Sequence, residues 1–137
     1  MGSTLTLSLQ NDMKELANVL QVVNVFLEPR NLPSKLMYAV SLVTEEILLN
    51  IIKYGYEDEG AHEIEVQIEV ENEGVTVTIE DDGKEFNPLL VPPPDRSKSP
   101  LDRIENGLGI QVVRHVRNAM EYRRERERNI LKILLLV

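Results

Sequence analysis

At 137 residues, 42% hydrophobic and 28% charged, the chain has the size and balance of one soluble domain with one core, residues 1–137. It contains no cysteine, which excludes disulfides, thiol catalysis and cysteine-ligated zinc. A formal net charge of −8 repels a phosphate backbone and argues against nucleic acid as a partner. The N-terminus shows no basic segment followed by an apolar run, so no signal peptide is expected. No apolar stretch reaches roughly 18 residues, so no membrane span is expected either. A cytoplasmic location follows as the expectation.

Residues 4–9, Thr-Leu-Thr-Leu-Ser-Leu, alternate with period two and read as a strand. Asn11 or Asp12 can then cap a helix with Leu16, Val19, Leu20, Val23 and Leu27 on one stripe. Pro29 and Pro33 bracket a turn. Ser34 is the expected cap of a second helix that runs to about Tyr54, with Gly55 as its stop.

Ile64, Val66, Ile68 and Val70 alternate with polar residues, as do Val75, Val77 and Ile79. The Glu71-Asn72-Glu73-Gly74 turn between them predicts an antiparallel hairpin. Residues 84–106 carry five prolines and little periodicity, which predicts a long loop of about 20 residues. A helix from Gly107 to about Asn118 follows. Residues 119–127 and 129–137 read as a closing hairpin around Arg128-Asn129. The apolar run from Ile130 to Val137 has the pattern of a strand buried on both faces. The basic cluster from Arg114 to Arg128, interleaved with Glu121, Glu125 and Glu127, reads as a solvated strand face. Helices separated from a largely antiparallel sheet imply an α+β, two-layer α/β sandwich.

Three segments carry candidate chemistry. In the second helix, Leu36, Val40, Val43 and Ile47 define the buried stripe. Asn50 falls about 60° and Glu46 about 100° from its centre, at the margin of the buried face. Lys53 extends the same row by a turn. A hard amide oxygen suits Mg²⁺, which keeps waters and phosphates as its other ligands. A lysine suits phosphate, and a carboxylate beside a transferred phosphoryl group can orient or deprotonate a hydroxyl. The second segment is Asp81-Asp82-Gly83. Asp81 continues the inward alternation of Val75, Val77 and Ile79, and a carboxylate there needs a partner such as an exocyclic amine. Gly83 would let a flat ring approach the backbone. The third is Gly107-Leu108-Gly109, which opens a helix whose first N–H groups favour phosphate. Each alone fits an ordinary exposed helix, turn or loop junction. In this order they describe a site for a magnesium-bound nucleotide.

Together they resemble the GHKL-type (Bergerat) ATPase fold of histidine kinases, Hsp90-like chaperones and type II topoisomerases. Glu46-x-x-x-Asn50 with Lys53-Tyr54 is similar to that family's N box. Asp81-x-Gly83 is similar to its G1 box and Gly107-x-Gly109 to its G2 box. The stretches Glu45–Asn50, Asp81-Asp82-Gly83-x-x-Phe86-Asn87-Pro88 and Tyr122-Arg123-Arg124 resemble the small bacterial anti-sigma-factor serine kinases. The resemblance implies a mixed, mainly antiparallel sheet with helices on one face, and ATP and Mg²⁺ as cofactors. It implies Glu46 as the catalytic base, Asn50 as the Mg²⁺ ligand and Lys53 at the phosphates. Asp81 and Gly83 would hold adenine, and Gly107, Leu108 and Gly109 the phosphate end of a mobile lid. Relatives often carry a threonine on one of the last strands beside the adenine pocket; here that stretch reads Asn129-Ile130-Leu131-Lys132-Ile133. The implied activity is an anti-sigma-factor serine/threonine kinase acting on a STAS-type anti-sigma-factor antagonist. The implied partners include a sigma factor and a second copy of the chain. The alternative expectation is a non-catalytic ATP-binding or partner-sequestering module.

Overall fold

The computed structural model describes residues 2–58, 60–86 and 119–136. Strand β1 (Ser3–Gln10) leads into helix α1 (Met13–Leu27), a 3-10 turn (Glu28–Arg30) and helix α2 (Ser34–Tyr54). Strands β2 (Glu63–Glu71) and β3 (Gly74–Asp81) follow, then β4 (Ala119–Glu125) and β5 (Arg128–Leu136). The five strands form one sheet in the order β1-β2-β3-β5-β4, and every pairing is antiparallel. The two helices pack against each other, α1 also against β1 and α2 against β3 and β5. This is the α+β sandwich that the sequence pattern implies. Among the described residues, no helix is long and apolar enough to cross a membrane.

Each element forms for a local reason. The Asp12 side chain accepts a hydrogen bond from the Lys14 amide at 2.9 Å and caps α1. The stripe Leu16, Val19, Val23 and Leu27 is buried, with Leu20 packed partly against the core. On α2 the buried set is Leu36, Ala39, Val40, Val43, Thr44, Ile47 and Leu48. Gly55 closes α2, its N–H bonding to the Ile51 carbonyl at 2.8 Å. Ser34 differs from expectation. Pro33 is the N-cap, with extended backbone, and its carbonyl accepts from Leu36 and Met37, so Ser34 is already helical. The proline's fixed φ and missing N–H suit it to that boundary.

Two further differences concern β5. The tight turn falls on Arg126 (φ 52°) and Glu127 (φ 63°), not on Arg128-Asn129. Two successive left-handed residues match the twist of a two-residue hairpin. β5 also alternates, with Asn129, Leu131, Ile133 and Leu135 inward and buried, and Lys132 and Leu136 exposed on the other face. Among the described residues the helices cover one face of the sheet, so only that face of β5 is buried. The expected proline-rich loop beyond Phe86 and the expected helix from Gly107 lie outside the described residues.

Candidate functional site

The C-terminal half of α2 lies over the ends of β3 and β5, and a cleft opens between the layers. Ile47, Ile51, Ile79 and Leu131 give it an apolar floor. Asn50 and Tyr54 border it from α2, Lys84 and Phe86 from the segment after β3, and Tyr122 from β4. Asp81 and Asn129 close its inner end.

Those last two residues are cross-strand partners in the β3–β5 register. Among the described residues the buried polar or charged side chains are Thr44, Asp81 and Asn129, and the last two bond to each other. Asp81 is 4% exposed. Its Oδ1 accepts from the Gly83 amide at 2.8 Å and from Asn129 Nδ2 at 3.1 Å. Burial pushes its carboxyl above the usual aspartate range, and the charge of Asp82 adds to this. The Asn129 and Gly83 bonds and the charge of Arg124 work the other way, because each favours the ionised form.

Asn129 joins the site although sequence reading assigned it to a turn. Its Nδ2 also donates to the Lys84 carbonyl at 2.8 Å. Its Oδ1 accepts from Tyr122 Oη at 2.5 Å, Arg124 at 3.1 Å and the Phe86 amide at 3.4 Å. Arg124 donates in addition to the Gly83 carbonyl at 2.8 Å. Of the basic cluster, Arg123 is exposed and paired with Glu125, and Arg128 is partly exposed and pairs with Glu80 at 2.7 Å. Arg124 departs from the expected solvated face: strand alternation turns it and Tyr122 inward. The signal for Asn129 was its place in the row Asn129, Leu131, Ile133, Leu135, once the turn is set two residues earlier.

On α2, Glu46 and Asn50 are both partly buried, as their angular positions predict, whereas Lys53 is exposed. Asn50 borders the cleft. Burial, followed by the charge of Glu45, raises the Glu46 carboxyl above its ordinary range, and Lys53 opposes this. A raised carboxyl is closer to the range in which a proton acceptor works near neutral pH. Gly83 lies against the end of α2. A β-carbon there would run into the Gly55 carbonyl oxygen, and the Lys84 amide donates to that same oxygen at 2.8 Å. Gly107, Leu108 and Gly109 lie outside the described residues.

Beside this junction, His62 bridges two carboxylates. Its Nε2 is 2.8 Å from Asp58 Oδ1 and its Nδ1 3.3 Å from Asp82. The Tyr56 ring stacks on it at 4.2 Å. The hydrogen bond to Asp58 is the main influence raising the imidazole pKa. Among the described residues no three His, Cys, Asp or Glu side chains are grouped to hold a metal.

A two-layer sandwich of this topology, with a cleft between α2 and the strand ends that carries an acceptor carboxylate and an amide, defines a nucleotide-binding class of fold. The sequence profile of the histidine kinase-like ATPase domain matches residues 9–135, and the chain belongs to that family. Membership implies ATP as the ligand. No curated protein matches this sequence.

Proposed function

We propose that the protein is an ATP-dependent serine/threonine kinase that acts as an anti-sigma factor and phosphorylates a STAS-type antagonist. The observation that carries this reading is the pairing of Glu46 and Asn50 on one margin of α2, above a cleft that ends in Asp81. The Asn50 side chain makes no hydrogen bond among the described residues, so its amide oxygen is available as a hard ligand. Such a donor fits Mg²⁺, which would neutralise phosphate charge and keep water and phosphate oxygens as its other ligands.

Glu46, one turn before Asn50, would accept the proton of a protein hydroxyl. Lys53 would meet phosphate, as would Gly107, Leu108 and Gly109. The exocyclic amine of adenine would donate to Asp81. Tyr54 and Phe86, both about half exposed at the cleft, offer ring faces to a base. A sigma factor is the second proposed partner and the cytoplasm the proposed site of action. β1 is an edge strand of the described sheet, which suits strand addition by a second copy.

The test mixes the protein with Mg-ATP and a STAS protein encoded beside it and follows phosphate on the STAS partner. Transfer is expected, and Glu46→Gln should remove it while ATP still binds. ATP binding without transfer to any such partner overturns the kinase assignment in favour of a sequestering module. If Asn50→Ala also leaves partner binding intact, that module does not depend on the metal.

A further inference from the structure

We propose that Asn129 is a positioning residue for base recognition, holding the Asp81 carboxylate with one oxygen occupied and the other presented to the cleft. This rests on the ATP reading above and adds to it a residue that determines which base is accepted.

The geometry of one side chain carries the inference. Asn129 is 6% exposed and each end of its amide is in use. Two acceptors, Asp81 Oδ1 and the Lys84 carbonyl, face its nitrogen. Three donors, from Tyr122, Arg124 and the Phe86 amide, converge on its oxygen. Turning the amide over would set donors against donors and acceptors against acceptors, so the orientation is fixed. Asp81 Oδ1 therefore has two donors, Asn129 and the Gly83 amide. Among the described residues nothing donates to Oδ2, although Asp81 borders the cleft. An ionised carboxylate only accepts. The group it selects is a donor on a flat base, which is what an exocyclic amine supplies.

Asn129 has a second effect through the same amide. By holding the Lys84 carbonyl and the Phe86 amide, it sets the course of the chain as it leaves β3. The side chains of those two residues border the cleft. Removing the amide frees Asp81 to rotate and loosens the wall beside it together. Base discrimination should therefore fall more than stability alone predicts.

The measurement compares dissociation constants for ATP and for purine riboside triphosphate, which lacks the 6-amino group, by calorimetry with excess Mg²⁺. A hydrogen bond to a charged group gives the wild type a preference for ATP of about tenfold or more. In Asn129→Ala that preference should collapse to within about twofold. Tyr122→Phe removes one of the three donors that orient the amide, and should reduce the preference partway; it keeps the test alive if Asn129→Ala does not fold. A variant that loses affinity for both nucleotides equally, with the preference intact, overturns the positioning role. Wild type that binds both equally also overturns it but leaves the ATP site standing. Wild type that binds neither overturns the ATP reading itself.

Discussion

Strands β3 and β5 pair over their whole length, and the two ends of that ladder are built from different chemistry. Going along it, the inward cross-strand pairs are Val75–Leu135, Val77–Ile133, Ile79–Leu131 and finally Asp81–Asn129. All eight residues are buried. Burying each aliphatic side chain stabilises the fold by roughly 1.5–3 kcal/mol. Burying a carboxylate opposes folding unless hydrogen bonds replace its water. Three pairs thus build the core, and the fourth, in the same register and at the same depth, gives up stability to place an acceptor at the cleft.

That contrast can be broken from its apolar end first. Ile133→Ala should cost about 2–5 kcal/mol in denaturant unfolding, because Ile133 is 1% exposed and no neighbour can fill the space freely. The preference of the folded variant for ATP should not change. A cost below about 1 kcal/mol would place the main source of stability elsewhere.

The polar end should respond with the opposite sign. Burial raises the Asp81 carboxyl, so the native state holds its proton to higher pH than the unfolded chain does. Its contribution is fully present below the unfolded value of about 3.9 and declines as pH rises through the raised folded value. Near neutral pH the ionised group is a net burden. Asp81→Asn should then raise stability by about 1 kcal/mol at neutral pH and abolish selective ATP binding. Thermal melts at pH 4 and pH 7.5 check the sign, because the gain should shrink at the lower pH.

The smallest effect belongs to His62, next to the polar end. Its pKa is raised chiefly by Asp58 and further by Asp82, while desolvation acts against both. The stabilisation is fully present below the unfolded value of about 6.5 and is lost as pH rises through the folded one. His62→Asn should flatten the wild-type decline in Tm above about pH 6.5. A decline that persists unchanged in the variant rules out this bridge as its cause.

The apolar end was easy to read from the sequence, because burial on one face of a helix or strand leaves a periodic mark. Leu16 to Leu27, Leu36 to Ile47 and Ile64 to Ile79 all carry it, and so does Asp81 as the next inward position after Ile79. Asn129 was misread because asparagine tolerates left-handed turn backbone, whereas Arg126 and Glu127, which adopt it here, have no such preference. The Glu46–Asn50 row was legible from helical angles alone. The partners that fix Asp81 were not. Besides the nearby Gly83 amide, Asn129 lies 48 residues away on β5 and is itself held by Tyr122 and Arg124 of β4, and only strand register brings these together. Gly83 also meets a demand that the sequence does not show, the close approach of the Gly55 carbonyl.

That contact between Gly83, Lys84 and the Gly55 carbonyl has a mechanical meaning. It ties the last turn of α2 to the exit of β3 by main-chain atoms, at a place where a β-carbon cannot fit. The helix that carries Asn50 and the strand that carries Asp81 belong to opposite layers, yet they share this fixed point. Neither can slide along the cleft without breaking it. The two layers are pinned there like the arms of a caliper, one carrying the amide and the other the carboxylate.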